Sequence, residues 1–387
     1  MGAFDEVEFG RGRSRRGRPV PQWMLAAAVL AVVVAVIAVR VAVHRTRSQS
    51  TVSVTLTRRP ILGVRASWEL FAHGPRDLVA IDFARGQITT TMLPAEVTGI
   101  PDLSFVVGPH EAIIRPEAGS GPAYVIPDGA PARSLVGPLG RAGLLLEGPE
   151  PGQAWQYSWS DGSPVMTLVT LAGRPVGPAI ALTPPHHPAP GMPAADGQGG
   201  VLLLGSSGEV FDAWPGRRDQ RDQRDQRDQR DQRDQRDQVN GQVIAVGPTR
   251  WLLVSCRGAA RYRNIVYDPR SGALRALPGP AVAGAAYIWP PEGVVSPDGS
   301  AAAIIDTATA PPTIRLINLA TGADSRIAVP FPRGAGNQLM AWSPDGRWLF
   351  LADNGQLLAV NARTGRVTGL GVRLPVITQV AVRPGPG

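Results

Sequence analysis

The feature that most constrains this chain is a unit written twice near its C-terminus. In the later copy, Gln338 to Trp342 has strand composition, Ser343-Pro344-Asp345-Gly346 makes a turn, and Arg347 to Ala352 makes a second strand. Asn354-Gly355 then reverses the chain into a third strand, Gln356 to Asn361, and Arg363-Thr364-Gly365 reverses it again into Arg366 to Leu370. Proline presets φ, Asp or Asn caps the turn backbone and Gly adopts positive φ, so each break suits a reversal of direction. The spacing predicts a four-stranded antiparallel meander. The earlier copy runs Val294-Val295-Ser296-Pro297-Asp298-Gly299, Ala301 to Asp306, Thr313 to Asn318, Ala320-Thr321-Gly322 and Ser325 to Val329, with a longer middle loop.

The glycine of the last turn serves as a marker for further copies. It recurs at Gly86, Gly129, Gly173, Gly216, Gly272, Gly322 and Gly365, at spacings of 43, 44, 43, 56, 50 and 43. Five of the seven have Asp or Asn four residues earlier (Asp82, Asp212, Asp268, Asn318, Asn361), whereas Gly129 and Gly173 do not. The 56 contains seven consecutive Arg-Asp-Gln triplets from Arg218 to Gln238, and without those 21 residues it falls to 35. A period near 43 matches one blade of a radial array of four-stranded sheets. The 45 Gly and 38 Pro of the chain suit many short strands and disfavour a helical fold. The expected fold is therefore all-β, a β-propeller of about seven four-stranded blades. Such a ring must close, and Val376 to Val382 is the segment expected to pair with strands near Ser67 to Phe71.

The segments Trp342-Ser343-Pro344-Asp345-Gly346-Arg347 and Val295-Ser296-Pro297-Asp298-Gly299-Ser300 resemble the propeller repeats of the TolB and WD type. The resemblance is strong over 285 to 370 and rests on period alone over 58 to 280. It implies the fold and a binding role, and it supplies no ligand, because propellers host many unrelated functions.

A second feature lies near the N-terminus. Trp23 to Val39 holds 17 residues without a charge, and the run extends to Val43, 21 residues, if Arg40 snorkels toward headgroups. At about 1.5 Å per residue this spans roughly 25 to 31 Å, enough for one membrane pass. Arg11, Arg13, Arg15, Arg16 and Arg18 precede it and Arg40, Arg45 and Arg47 follow, so the positive-inside rule places the N-terminus in the cytoplasm. A cleaved signal peptide shares this pattern, but no convincing small-x-small cleavage site precedes His44 and no lipidation cysteine follows. The expected organisation is a cytoplasmic Arg-rich tail at 1–22, a transmembrane helix at 23–43, a linker at 44–57 and an extracytoplasmic propeller at 58–387. The low-complexity loop at 217–238 lies within the propeller, and its alternating charge buries no core.

The net charge of +8 is concentrated beside the apolar run, with +5 in the first 50 residues, so the large domain is near neutral and a nucleic-acid role loses its support. The basic residues are all Arg, a coding bias that fits a high-GC bacterial genome. Cys256 is the single cysteine, which excludes an intramolecular disulfide and reads as a buried thiol in the run Trp251 to Cys256.

His44, His73, His110, His186 and His187 show no metal-ligand spacing, and neither a Gly-x-Ser-x-Gly elbow nor a phosphate-binding Gly-Lys-Ser/Thr loop is present. Leu358 to Val367, and Val79 to Asp82 with Gly86, resemble the quinoprotein blade repeat, but Gly369 and Thr90 stand where that family carries its docking Trp. The turn residues Asp82, Asp128, Asp212, Asp268, Asp298 and Asp345 read as backbone caps, and the nine Trp mostly as packing between blades, with Trp155, Trp159 and Trp289 as candidates to line a groove. The expectation is a non-catalytic binding or scaffolding module with no catalytic, cofactor-binding or metal-ligating residue assigned. Its partners would be the bilayer, through one helix, and a protein or cell-envelope component. Alternatives are a membrane-anchored quinoprotein or hydrolase, or an envelope sensor.

Overall fold

The computed structural model describes residues within 51–384. Residues 1–50 and 215–241 lie outside the described residues, as do shorter stretches between strands, the longest being 136–143, 182–191, 283–292 and 330–338. The described residues form strands β1 to β28 and one short 3-10 turn, Ile61–Gly63.

The first sheet has five strands, β1 (Thr51–Thr55), β2 (Trp68–His73), β3 (Asp77–Asp82), β4 (Gln87–Met92) and the last strand of the chain, β28 (Gln379–Pro384), in the order β1-β4-β3-β2-β28. The second comprises β5 (Leu103–Val107), β6 (Glu111–Pro116), β7 (Tyr124–Pro127) and β8 (Arg133–Ser134). The third comprises β9 (Leu145–Glu147), β10 (Gln153–Ser160), β11 (Ser163–Thr170) and β12 (Ile180–Ala181), and the fourth β13 (Met192–Ala195), β14 (Val201–Leu204) and β15 (Val210–Trp214).

An eight-stranded sheet follows. It contains one meander of β16 (Gln242–Val246), β17 (Trp251–Cys256), β18 (Tyr262–Asp268) and β19 (Ala273–Ala276). The other meander is β20 (Gly293–Val295), β21 (Ala301–Asp306), β22 (Thr313–Asn318) and β23 (Asp324–Ala328). A short parallel contact, Ala245 with Gly293 and Val246 with Val294, joins the two. The sixth sheet holds β24 (Met340–Trp342), β25 (Trp348–Asp353), β26 (Gln356–Asn361) and β27 (Val367–Gly369).

Side chains alternate across each strand, so one strand serves two interfaces. On β6, Ala112 and Ile114 pack with Phe71 and Leu78 of the first sheet, while Ile113 packs with Leu145 and Val169 of the third. Leu70 and Ile81 face the opposite way, into a core shared with Ile314 and Phe350. First strands of successive meanders also touch: β28 meets β5 and β24, β5 meets β9, β9 meets β13, and β20 meets β16 and β24. Meanders stacked face to face in chain order, with their first strands together, define a β-propeller.

The predicted turns form as their chemistry dictates. Asp298 Oδ1 accepts bonds from Ser296 Oγ at 2.6 Å and the Ser300 backbone N–H at 3.1 Å, and Asp345 Oδ1 repeats the pattern with Ser343 Oγ at 2.7 Å and Arg347 N–H at 3.0 Å. Gly346 has φ 66, and a Cβ there would stand 3.2 Å from Asp298 Oδ1, so these turns also pack against each other between meanders. Trp342 Nε1 donates to Val294 O at 3.1 Å across the same boundary.

The expected closure is present. β28 pairs antiparallel with β2, from Trp68 opposite Pro384 to His73 opposite Gln379, beginning three residues later than the Val376 expected. One strand falls within the segment expected to be linker, and one candidate groove residue is core. Thr51–Thr55, placed in the linker at 44–57, forms β1 and pairs with β4, from Thr51 opposite Thr91 to Thr55 opposite Gln87. Trp155 is 1% exposed and packs with Met166 and Val201, so it is core and lines no groove. The apolar segment 23–43 and the Arg-Asp-Gln tract lie outside the described residues, and no helix among the described residues is long and apolar enough to cross a membrane.

Candidate ligand cleft

The first and second sheets differ in width, and this opens a cleft. The first is five strands wide with a six-residue β4, whereas the second ends in the two-residue β8. Among the described residues, the second sheet therefore offers fewer strand residues to face the outer part of the first. The resulting cleft, about 330 Å3, is bounded by β2, β3 and β4 on one side and by Ile126 to Gly129 on the other.

Register arranges its wall in rows. Glu69 lies beside Asp82, and Asp82 beside Gln87; one row further along, Phe71 lies beside Ala80 and Ala80 beside Thr89. Leu78 and Thr91 make the third row. The floor is apolar and buried at Phe71, Leu78 and Ile126, while Asp82, Gln87 and Thr89 are half-buried and Asp128 is exposed.

Arg383, on the closing strand and 6% exposed, fixes the acidic end of the cleft. Its Nε donates to Glu69 Oε2 at 2.7 Å, its Nη1 to Gly108 O at 2.6 Å and its Nη2 to Asp128 Oδ2 at 2.6 Å. The guanidinium also lies 4.6 Å from the Phe71 ring centroid. One side chain thus joins β28, β2 and the turn after β7, with its donors spread over two carboxylates and a carbonyl. Asp82 accepts from the Arg85 backbone N–H at 2.7 Å and pairs with Arg85 Nε at 3.5 Å.

His73 lies on the same face of β2, beyond Phe71. Its ring stacks with Phe105 at 5.9 Å, Nδ1 lies 3.1 Å from Thr378 Oγ1, and Nε2 is buried without a hydrogen-bond partner among the described residues. Burial holds its pKa down at about 4, against an ordinary 6.5. Between those values the unfolded chain binds the proton and the folded chain does not, so stability is full above pH 6.5 and is lost as pH falls. The expected loss is about 3 kcal/mol by pH 4, read from urea midpoints across that range, and His73→Phe should flatten the profile.

The sequence-predicted residues are dispersed. Asp268 caps its turn through the Ser271 N–H at 3.3 Å, as Asp82, Asp298 and Asp345 cap theirs, but Asp128 bonds Arg383 instead. The side chains of Asp212, Cys256 and Trp159 lie outside the described residues, as do His44, His186, His187 and Trp289. His110 is exposed. Among the described residues no group of three His, Cys, Asp or Glu side chains is placed to hold a metal ion.

No protein-family model and no curated protein matches the chain. Solved structures similar to it include TolB from Acinetobacter baumannii, at 12% identity and TM-score 0.43, covering 81% of this chain and 66% of that one. AztD from Citrobacter koseri is 14% identical with TM-score 0.44, covering 83% of this chain and 98% of that one. A Bacteroides fragilis protein named provisionally as a 6-phosphogluconolactonase is 12% identical with TM-score 0.46, covering 83% and 98%.

Proposed function

We propose that this protein is a single-pass cell-membrane protein whose extracytoplasmic seven-bladed propeller is a non-catalytic binding or scaffolding module for a cell-envelope partner. Supporting the count of seven is that the eight-stranded sheet divides into two meanders at its parallel contact, which involves only Ala245, Val246, Gly293 and Val294. The membrane assignment rests on the uncharged run Trp23 to Val39 and the heavier Arg flank before it.

The observation that carries the binding reading is the cleft beside Arg383. It joins an apolar floor to a fixed set of polar groups, which is how ligand sites gain affinity and orientation together.

The test uses the tagged full-length chain in a bacterial host. The reading expects carbonate-resistant membrane association, protease sensitivity of the propeller from outside the inner membrane, and an envelope component that co-purifies with the wild type. Gln87→Leu/Thr89→Val should lose that component. A chain released by carbonate, or turnover of an added substrate without any bound partner, would overturn the reading.

A further inference from the structure

We infer that the cleft between the first and second sheets is a saccharide subsite, taking one or two neutral sugar rings. This rests on the binding reading and names its ligand class.

Charge balance argues against a simple ion as the occupant. Arg383 engages both Glu69 and Asp128, and Arg85 engages Asp82, so every carboxylate is paired and the three carboxylates and two arginines carry one net negative charge. These carboxylates are held in position with their charge largely offset. That suits hydroxyl donors, which need fixed acceptors and bring no charge of their own. A strongly cationic ligand would meet only one uncompensated negative charge.

The cleft wall also alternates in the way a sugar does. Gln87, Thr89 and Thr91 fall at every second position of β4 and face one side. Gln87 and the threonine hydroxyls both donate and accept, as sugar hydroxyls do. Beside them runs an apolar strip of Ala80, Leu78 and Ile126 that meets the C–H faces of a pyranose. The volume of about 330 Å3 lies at the lower end of small-ligand sites and suits one or two rings better than a folded partner.

Saturation-transfer NMR on the detergent-solubilised full-length chain tests this with cellobiose, maltose and N,N′-diacetylchitobiose, and with spermine and a trilysine peptide as cationic probes. At least one disaccharide should bind at millimolar concentration. Gln87→Leu/Thr89→Val should weaken it about tenfold or more, with an unfolding midpoint close to wild type. Thr368→Val, on the sixth sheet and absent from the cleft lining, should leave binding unchanged. Three outcomes overturn the inference: no disaccharide binds, only the cationic probes bind, or disaccharide binding survives the double substitution. If the sugars fail while an envelope protein still co-purifies in a manner sensitive to the same substitutions, the saccharide inference falls and the binding module stands.

Discussion

Replacing Arg383 with Met should cost about 3 to 5 kcal/mol, because it leaves two carboxylates in place without their shared cation. Glu69 has 16% of its side chain exposed and bears most of this cost, whereas Asp128, at 41%, can rehydrate, which places the effect toward the lower bound. The Gly108 carbonyl loses its donor and the Phe71 ring loses its cation in the same step. Urea unfolding followed by tryptophan fluorescence measures the loss. Adding Glu69→Gln and Asp128→Asn to Arg383→Met should recover part of it, because the uncompensated charge is then gone. A cost below about 1 kcal/mol would show that the cluster contributes no more than an exposed ion pair.

A larger effect is expected from ending the chain after Thr378. This removes β28, and with it the full ladder from Trp68 to His73 and the Arg383 cluster. It also exposes the backbone edge of β2 and the apolar residues around Val380 that belong to the main core. The truncated chain should lose its cooperative unfolding transition or self-associate through the bare edge, as seen by calorimetry and size-exclusion chromatography. Retention of a sharp monomeric transition would mean that the first sheet is complete without its last strand.

Much of the fold is legible in the sequence because its turns are chemically stereotyped. Strands β21, β22 and β26 have the expected limits, since Pro-Asp-Gly, Ala-Thr-Gly and Arg-Thr-Gly each specify a reversal locally. The marker glycines without an upstream Asp or Asn still have positive φ, 67 at Gly129 and 82 at Gly173, but through different bonding. Gly173 N–H bonds Thr170 O at 2.7 Å, three residues back, whereas Gly86 and Gly322 reach four residues back to Asp82 and Asn318. The backbone conformation recurs while the side-chain cap does not, so a pattern built on Asp and Asn weakens there.

The cleft was not legible, for a physical reason. It arises from a difference in width between two sheets and from contacts across the whole chain, Arg383 with Glu69 being 314 positions apart and with Asp128 255 apart. Asp128 precedes a turn glycine and reads as a cap, and nothing local reveals that its carboxylate turns to β28. Arg115 was equally hidden. It is buried on β6 with no hydrogen-bond partner for its guanidinium among the described residues, and burial lowers its pKa to about 10.

The account depends most on the meeting of the two ends of the propeller in one sheet, with Ala72 opposite Val380. A disulfide between Ala72→Cys and Val380→Cys, in a Cys256→Ser background, tests that register directly, since facing strand residues have Cα atoms about 4.5 to 5.5 Å apart. Mild oxidation should cross-link this pair nearly completely. The pair Ala72→Cys with Val382→Cys, two residues out of register, should react poorly. Efficient bonding of the shifted pair, or of neither, would contradict the closed ring.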